Sequence, residues 1–422
     1  MFRRSGSLGS VPEPAQHGHL SAPCAGQMSV GGALVRVNSR PDMIARRRFL
    51  ETSGLALLGG LVGRTVGAGE ATRTPARELL VHSLRPENLA TPIEWFDRLI
   101  TPTDVFFVRS HFGAPAAAAA PRLRLDGLVG QTLDLGPADL DAMPQVTLTA
   151  VLQCSGNGRA LSAPRVPGVQ WVHGAMGQAT WTGVRLRDLL ERAEIATGAA
   201  HVAFAGRDVA PTPATPSFHR SIPLERALDP STLVATRMNG DPLTLAHGAP
   251  LRLVVPGWAG NHWIKWLQAI HVQSEEASGF FMQTAYRLPR TPVEPGAAVP
   301  PENTVPVTTF PLKSIIARPV DGSRLPRGRQ EVVGVAFSGE AAIARVEVSL
   351  DAGRSWREAA LEGEPGLGRW QVFRLPIEAR RGPMSAVARA TDARGMVQPE
   401  RATWNPSGYF WNAWHAVGWE VA

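Results

Sequence analysis

The sequence predicts an α+β protein in which a mixed α+β domain is followed by an immunoglobulin-like β-sandwich. Residues 75–285 mix short strand-like runs with segments whose apolar residues recur at helical spacing. Residues 305–422 instead alternate polar and apolar positions with period two, and turns recur at intervals of roughly 8–12 residues. A proline-dense stretch, residues 286–304, lies between them and is predicted to be a linker.

Charge and cysteine content exclude several classes of function. The net charge is +7, but the first 70 residues hold eight arginines against four acidic residues, which leaves +3 for the remainder. That is too small an excess to indicate a nucleic-acid surface. The two cysteines are Cys24, inside the leader, and Cys154, so no internal disulfide is expected after processing. There is also no CxxCH motif, so no haem is expected in this chain.

The N-terminal residues 1–70 are predicted to be a disordered leader and a Tat-type export signal. Arg46 and Arg47 precede Phe49 and Leu50, an apolar run follows, and small residues suited to cleavage lie near Ala68. A membrane anchor is the alternative, but the apolar run of about a dozen residues is shorter than the ~20 that span a bilayer. A periplasmic protein without a stable membrane span is therefore expected.

The first elements of the α+β domain follow from local signals. Thr91, Pro92 and Glu94 have the spacing of a capping box, so a short helix is predicted there, ending before Pro102. FFVRSH and its preceding valine, residues 105–111, are predicted to form a strand. RLRLDGLVGQTLDL predicts two strands around a glycine turn, and ADLDAMP predicts a short helix.

The middle of this domain is predicted from periodicity. QVTLTAVLQC is a long β-type run that leads into Cys154. Leu186, Leu189, Leu190 and Ala193 recur at helical spacing and predict an amphipathic helix. HVAFAG and PLRLVVP are predicted to be further strands.

The segment VLQCSGNGRA, residues 151–160, contains the candidate reactive group. A cysteine thiolate is a soft, strongly donating metal ligand. Gly156 and Gly158 allow a sharp turn and a close approach to a bulky cofactor, and Arg159 adds a fixed cation. The alternative is an inert buried thiol, which the polar, glycine-rich flank argues against. No histidine is evidently arranged as a base for a nucleophilic cysteine.

The segment LQCSGNGR resembles the LQCxGN(R)R segment of the sulfite oxidase family of molybdenum enzymes. The resemblance extends over roughly residues 80–420, in order and spacing. Its further blocks are FFVRSH, VQWVHGAMGQATWTGVRLRDLL, RSIPLERALDP, MNGDPLTLAHGAPLRLVVPG, GNHWIKW and the final WNAWH.

The resemblance implies a molybdenum–molybdopterin cofactor and a set of site residues. Cys154 is implied as the metal ligand. The implied cofactor-binding residues are His111, Cys154, Ser155, Asp208, His247, Arg252, Trp263, Ile264 and Lys265. The implied catalytic and substrate-binding residues are Cys154, Arg109, Arg159, Trp171 and Phe218. Arginine and lysine suit a phosphate by charge, and arginine also by its forked donors.

Two positions depart from the family pattern. The tyrosine that precedes the family's SIPL block falls on Phe218, so its hydroxyl is absent there, and a third pocket arginine falls on Ser407. His219 or Arg220 is a candidate to replace the lost charge. Both departures weaken the expectation of free sulfite as the substrate, but not that of a molybdenum site.

The resulting functional hypothesis is oxo transfer that oxidises sulfite to sulfate, with electrons passing to an external c-type cytochrome. The same cofactor acting on a carrier-bound persulfide or a sulfoxide is an alternative. An exported binding or scaffold protein that has lost the metal is an alternative of another class. The resemblance also implies a homodimer formed through the C-terminal domain.

Overall fold

The computed structural model describes residues 78–116 and 120–422. These residues belong to one compact unit, residues 72–422. The predicted leader and export signal, residues 1–70, lie outside the described residues. Within the described ranges no helix has the length and apolarity needed to cross a membrane.

The described chain is dominated by β-strands. In order they are β1 (Leu80–Leu84), β2 (Glu87–Ala90), β3 (Val108–Arg109), β4 (Leu123–Gly127), β5 (Leu133–Leu135), β6 (Gln145–Gln153), β7 (Met176–Arg185), β8 (His201–Gly206), β9 (His219–Pro223), β10 (Leu233–Met238), β11 (Asp241–Pro242), β12 (Arg252–Val254), β13 (Leu267–Gln273), β14 (Arg287–Pro289), β15 (Thr304–Pro306), β16 (Lys313–Arg318), β17 (Arg324–Leu325), β18 (Gly328–Phe337), β19 (Ile343–Ser349), β20 (Arg357–Glu362), β21 (Trp370–Ala379), β22 (Gly382–Asp392) and β23 (His415–Val421).

The helices are short and lie almost entirely in the first domain. The α-helices are α1 (Pro137–Asp141), α2 (Leu186–Arg192), α3 (Leu224–Leu228) and α4 (Phe280–Gln283). Single 3₁₀ turns span Ile93–Phe96, Thr103–Val105, Arg159–Leu161, Gly260–His262 and Pro301–Asn303.

Two five-stranded sheets form the centre of the first domain. One has the order β11-β10-β7-β6 with β12 also paired to β10, and the other has the order β5-β4-β13-β8-β9. In the second sheet β4 and β13 run parallel, while its other pairs are antiparallel. A smaller sheet, β1-β2-β3, ends at Arg109. Helices and strands thus occur together in this domain, as the predicted α+β class requires.

Most of the elements predicted from periodicity are present. The long strand before Cys154 is β6, and it ends at Gln153. The amphipathic helix is α2, and Leu186, Leu189 and Leu190 are completely buried, as is Ala193 at its end. Burial of the apolar stripe is what fixes this helix on the sheet.

The predicted helix after Thr91 was wrong in kind. The structure has only a 3₁₀ turn at Ile93–Phe96, and no side chain caps it. The Thr91 hydroxyl instead donates to the Met176 carbonyl, at 3.4 Å, and the Thr91 N–H donates to the Gly174 carbonyl. Thr91 is therefore bound to the chain around β7, and its hydroxyl is not available for a capping box.

The C-terminal domain is a curled eight-stranded sheet in the order β16-β18-β21-β20-β19-β22-β23-β17. β20 pairs with β21 on one side and with β19 on the other, so it joins the two layers of a sandwich. The apolar residues that alternate along these strands fill the space between the layers. In the proline-dense stretch before this domain, β14 pairs antiparallel with β15, which begins at the last residue of the stretch.

The seam between the two domains is packed and hydrogen-bonded. Gln178 of β7 donates to the carbonyls of Leu99 and Trp370 and accepts from the Trp370 N–H at 2.7 Å. The Val151 N–H of β6 donates to the Gly368 carbonyl at 2.8 Å. An apolar cluster fills the same seam, formed by Phe96, Val151, Met176, Phe310, Ile315, Ala317, Val333, Val335, Phe337, Trp370 and Val372. The strand that leads to Cys154 is thus supported by the C-terminal domain.

Candidate active site

Cys154 follows β6 directly, and its loop is fixed by local hydrogen bonds. The Cys154 N–H donates to the Ala175 carbonyl at 2.9 Å, and the Cys154 carbonyl accepts from the Asn157 N–H at 3.0 Å. The Asn157 side chain closes the arrangement by accepting from the Ala175 N–H. The thiol therefore sits at the end of a buried strand with little freedom in its backbone.

The two glycines after Cys154 make room for protein groups. A Cβ at Gly156 would lie 2.7 Å from the Arg159 guanidinium, and Gly158 has φ +97° with Trp411 2.7 Å from the position of a Cβ. The sequence predicted that they make room for a cofactor. In the structure the groups nearest to these two positions are the side chains of Arg159 and Trp411.

A cavity opens beside Cys154, with about 700 Å³ of free space including its opening to solvent. Eleven of the site residues predicted from the sequence line it: Arg109, His111, Cys154, Ser155, Asp208, Phe218, His247, Arg252, Trp263, Ile264 and Lys265. They come from strands and loops far apart in the chain, so the fold brings together what the motifs had suggested separately.

One end of the cavity is cationic. Arg252 is 3% exposed, and its guanidinium donates to the carbonyls of His247 and Trp263 and lies 5.0 Å from the Trp181 ring. Lys265 donates to the Ser110 hydroxyl at 2.8 Å. Burial lowers the pKa of Arg252 to about 9, and burial with the Arg252 charge lowers that of Lys265 to about 7. Both cations would be stabilised by an anion in the cavity.

Asp208 contributes the carboxylate that lines this cavity. Burial raises its pKa to about 6, against the opposing effect of Lys265. His247 adds no charge, because burial and the neighbouring cations Arg252 and Lys265 lower its pKa to about 4. The lining of this end therefore carries more positive than negative charge.

The lining fits an anionic group rich in hydrogen-bonding atoms. Among the described residues, the buried Ser155 Oγ, Arg252 Nε and Asn261 Oδ1 have no hydrogen-bond partner within the protein. Buried polar groups are normally satisfied, and a group bound in the cavity would supply partners for these three. A molybdopterin offers a phosphate for Arg252 and Lys265 and ring donors and acceptors for the other two.

The other side of the cavity presents Arg109, His111 and Tyr286. An Arg109 N–H donates to the Nδ1 of His111 at 3.1 Å, and the Tyr286 hydroxyl lies 3.3 Å from the same nitrogen. Arg109 also donates to Asn88. Burial and the Arg109 charge lower the pKa of His111 to about 4, so His111 is a neutral acceptor near pH 7. A cation and a phenol thus meet close to Cys154, an arrangement suited to a small oxyanion.

Tyr286 was missed by the sequence reasoning. The hydroxyl that is absent at Phe218 is present on this residue, which lines the same cavity. Phe218 itself stacks on the His111 ring, with centroids 5.4 Å apart. The one available signal was scarcity, because the chain has only two tyrosines.

Arg159 and Trp171 lie outside the lining of this cavity. Arg159 donates from Nε to the Ser407 carbonyl at 2.8 Å and from Nη1 to the Val169 carbonyl at 3.1 Å. Trp171 is completely buried, and its ring meets His82 edge-on at 4.5 Å.

The two cations suggested as replacements for the missing arginine also lie outside it. Arg220 is completely buried, and it donates to the Phe281 carbonyl and contacts His262. His219 is hydrogen-bonded to Ser217. Neither residue therefore replaces, in this cavity, the charge of the family arginine that falls on Ser407.

Each domain matches a known protein family. The family described as oxidoreductase molybdopterin binding domain matches residues 111–281. The model described as Mo-co oxidoreductase dimerisation domain matches residues 305–421.

Comparison with known proteins finds relatives along most of the chain. Mitochondrial sulfite oxidase of Homo sapiens is 37% identical over 368 residues, which are 83% of this chain and 67% of that protein. Sulfite oxidase of Arabidopsis thaliana is 34% identical over 381 residues, 83% of this chain and 96% of that protein. The crystal structure of the sulfane dehydrogenase SoxCD from Paracoccus pantotrophus matches with a TM-score of 0.71 and 28% identity, covering 84% of this chain and 92% of that chain.

Proposed function

Because the chain belongs to the sulfite oxidase family of molybdopterin-binding oxidoreductases, we propose that it oxidises sulfite to sulfate at the cavity beside Cys154. The reaction consumes one water and releases two protons and two electrons. The electrons pass one at a time to an external c-type cytochrome. The bound molybdenum cofactor supplies oxygen-atom transfer coupled to this two-electron change.

One side of the cavity binds the cofactor, and the other side binds the substrate. Arg252 and Lys265 hold the cofactor's anionic part, and the low exposure of Arg252 strengthens its charge-assisted hydrogen bond. Cys154 provides the thiolate that binds the metal. Arg109, with Tyr286, binds the substrate oxyanion, and His111 orients Arg109 by accepting one of its N–H groups beside the Tyr286 hydroxyl.

The observation that carries the proposal is the convergence of the Arg109 and Tyr286 donors on the His111 nitrogen, in the cavity that Cys154 also lines. A small dianion needs a few well-placed donors in a partly desolvated pocket. Sulfite suits this space, and the relatives named sulfite oxidase support the choice.

Oxidation of a sulfane or persulfide sulfur is the second candidate. The likeness to the structure of a sulfane dehydrogenase favours it, as does Ser407 at the position of a family arginine. Such a substrate places a thiol-bound sulfur, rather than a free dianion, against Arg109 and Tyr286.

The deciding experiment compares the wild type with Cys154→Ser after purification from a cofactor-sufficient, export-competent host. The wild type is expected to contain about one molybdenum per chain and to reduce a c-type cytochrome with sulfite, and the variant to lose this activity. Molybdenum with cytochrome reduction only by persulfidated thiols would favour the second candidate. A folded wild type without molybdenum would refute both.

Assembly and location complete the proposal. The match to a family described as a dimerisation domain supports a homodimer formed through residues 305–421. The twin-arginine pattern in the leader supports Tat export and a periplasmic location. Sedimentation of the holoenzyme, and its activity in periplasmic and cytoplasmic fractions, would test the two statements.

A further inference from the structure

Tyr409 of the C-terminal domain does not line the cavity, but it contacts Tyr286, which does, and Arg159, which lies outside the lining. Its ring stacks on the Tyr286 ring, with centroids 5.7 Å apart and planes 11° from parallel. The Arg159 guanidinium carbon lies 5.3 Å from the centre of the same ring. The two tyrosines of the chain thus form one stacked pair that reaches from the cavity to Arg159.

The segment that presents Tyr409 is fastened to the loop after Cys154. Asn405 accepts the Tyr409 N–H and donates to the Tyr409 carbonyl, at 3.0 and 2.8 Å. The Phe410 N–H donates to the Ser155 carbonyl at 2.8 Å, and the Ser407 carbonyl accepts from Arg159. Tyr409 therefore has a backbone that is fixed relative to Cys154.

The Tyr286 side chain is held by ring contacts more than by hydrogen bonds. Its φ of +57° is an uncommon left-handed conformation for a side-chain-bearing residue. Its contact with His111 is 3.3 Å, long for a hydroxyl hydrogen bond. The Phe218 ring meets it edge-on at 6.1 Å. The Arg220 guanidinium carbon lies 5.5 Å from the centre of the Tyr286 ring. Among its aromatic neighbours, Tyr409 is the one whose ring lies nearly parallel to it, the geometry of a stacked pair.

We propose that Tyr409 is a positioning residue for substrate binding: its ring holds the Tyr286 phenol toward His111 and Arg109 and covers the Arg159 guanidinium. This rests on the proposed function, because it concerns the anion-binding side of the same cavity. It also gives a role to the sequence around Ser407. Where the resemblance predicts an arginine, this chain has a serine followed two residues later by an aromatic support.

The ring of Tyr409, and not its charge, is the active feature. Burial and the neighbouring Tyr286 raise the pKa of Tyr409 to about 12, so the phenol is neutral at working pH. The conservative change Tyr409→Phe keeps the ring, whereas Tyr409→Leu removes it. The two variants separate stacking from hydrogen bonding.

The first measurement is steady-state sulfite oxidation by the holoenzymes at matched molybdenum content and matched thermal stability. We expect Tyr409→Leu to raise KM for sulfite about 3- to 10-fold with a smaller change in kcat, the range that loss of an aromatic pair implies. Tyr409→Phe keeps the stacked ring, so its KM should stay within about 2-fold of the wild-type value. In a Tyr286→Phe background, the effect of Tyr409→Leu should shrink, because it acts partly through that hydroxyl.

The second measurement does not depend on turnover. With two tyrosines in the chain, ¹⁹F NMR of fluorotyrosine-labelled protein gives two resonances, and Tyr409→Phe assigns them. Sulfate should shift the Tyr286 resonance in the wild type. In Tyr409→Leu that resonance should move or broaden and respond to sulfate only at higher concentration.

The outcomes are distinct. A folded, molybdenum-loaded Tyr409→Leu enzyme with wild-type KM and an unchanged Tyr286 resonance overturns the inference. So does a Tyr409→Phe enzyme as impaired as Tyr409→Leu, because the ring would then not be the active feature. A wild type that does not oxidise sulfite refutes the proposed substrate but not the role of Tyr409. The Tyr286 ¹⁹F resonance of the wild type and of Tyr409→Leu then decides that role.

Discussion

Lys265 in the cavity and Lys313 at the start of the C-terminal domain are two buried lysines in different surroundings. Burial lowers the pKa of each to about 7. Lys265 keeps some accessible surface because it lines the cavity, and it donates to Ser110 and to the Ala246 carbonyl. Lys313 is 0% exposed, and its Nζ has no hydrogen-bond partner among the described residues and lies 5.4 Å from the centre of the Trp411 ring.

The difference shows that burial of a cation does not by itself make a binding site. Lys265 faces free space next to Arg252, so an anion can enter and neutralise it. Lys313 has no accessible surface, and close to it lie the Trp411 ring and the buried His173 and His415, whose pKa values are lowered. We therefore expect Lys265 to serve ligand binding and Lys313 to cost folding stability.

The largest expected effect separates the two lysines by cofactor content. Lys265→Met should weaken cofactor binding about 10- to 100-fold, because a charge-assisted hydrogen bond to a buried phosphate is lost, and so lower the molybdenum retained through purification. Lys313→Met should keep the wild-type content. Elemental analysis of both variants, expressed and purified in parallel, measures this. Equal losses of molybdenum in the two folded variants would contradict the assignment of cofactor binding to Lys265 and not to Lys313.

The next effect is the pH dependence of cofactor retention. Without a bound anion the Lys265 pKa is about 7, and a phosphate beside it would raise that pKa. The bound form then keeps a proton that the free form loses, so affinity should fall as pH rises above about 7, by at most about tenfold per unit. The rate of cofactor release between pH 6 and 9 measures it.

A matched variant tests the assignment of that pH dependence. Lys265→Met lacks the titrating amine, so its already faster release should not accelerate in the same way above pH 7. A wild type whose release rate is flat over this range would show that Lys265 stays charged, or stays away from the phosphate, in the free protein.

A smaller effect is expected in the stability of the holoenzyme. The pKa of Lys313 is lower in the folded protein than the usual 10.5, so above pH 7 the unfolded chain binds more protons at this residue. Stability should therefore be lowest below pH 7 and rise between pH 7 and 10. Lys313→Met should be more stable than wild type near pH 6, by on the order of a few kcal/mol.

Thermal unfolding of the molybdenum-loaded proteins at pH 6, 7, 8 and 9 measures this difference. The advantage of Lys313→Met should shrink as the pH rises, since deprotonation removes the cost of the buried charge in the wild type. A Lys313→Met protein that is less stable than wild type at pH 6 would show that the amine has a stabilising partner.

The sequence predicted the elements that depend on local patterns and missed those that depend on distant neighbours. β6 and α2 follow from alternation and helical spacing, since their apolar faces are buried as such patterns require. Thr91 failed as a cap because its hydroxyl bonds to Met176, 85 residues away. Lys313 is the first residue of β16, where five successive residues are buried, and no alternating pattern in that segment marks its side chain as enclosed.

The candidate site was predicted in composition more than in arrangement. The motifs named eleven residues that the fold brings to one cavity, because such blocks encode strand ends and turns that meet at it. They did not indicate that Arg159 faces Ser407 and Val169, nor that Tyr286 supplies a hydroxyl. Those facts depend on contacts with the C-terminal domain and with a left-handed backbone position, neither of which a local motif records.

The smallest expected effect concerns Phe218. It comes from comparing two uncharged residues, Phe218 and Tyr286, as the two lysines were compared above. Phe218 and Tyr286 both line the cavity, but Phe218 lies parallel to His111 at an interplanar angle of 27°, while the Tyr286 hydroxyl points at the His111 nitrogen. A hydroxyl added by Phe218→Tyr has no vacant role to fill. KM for sulfite should therefore change less than about 3-fold, the scale of one modest hydrogen bond. A gain of tenfold or more would show that the hydroxyl missing at Phe218 limits this enzyme after all.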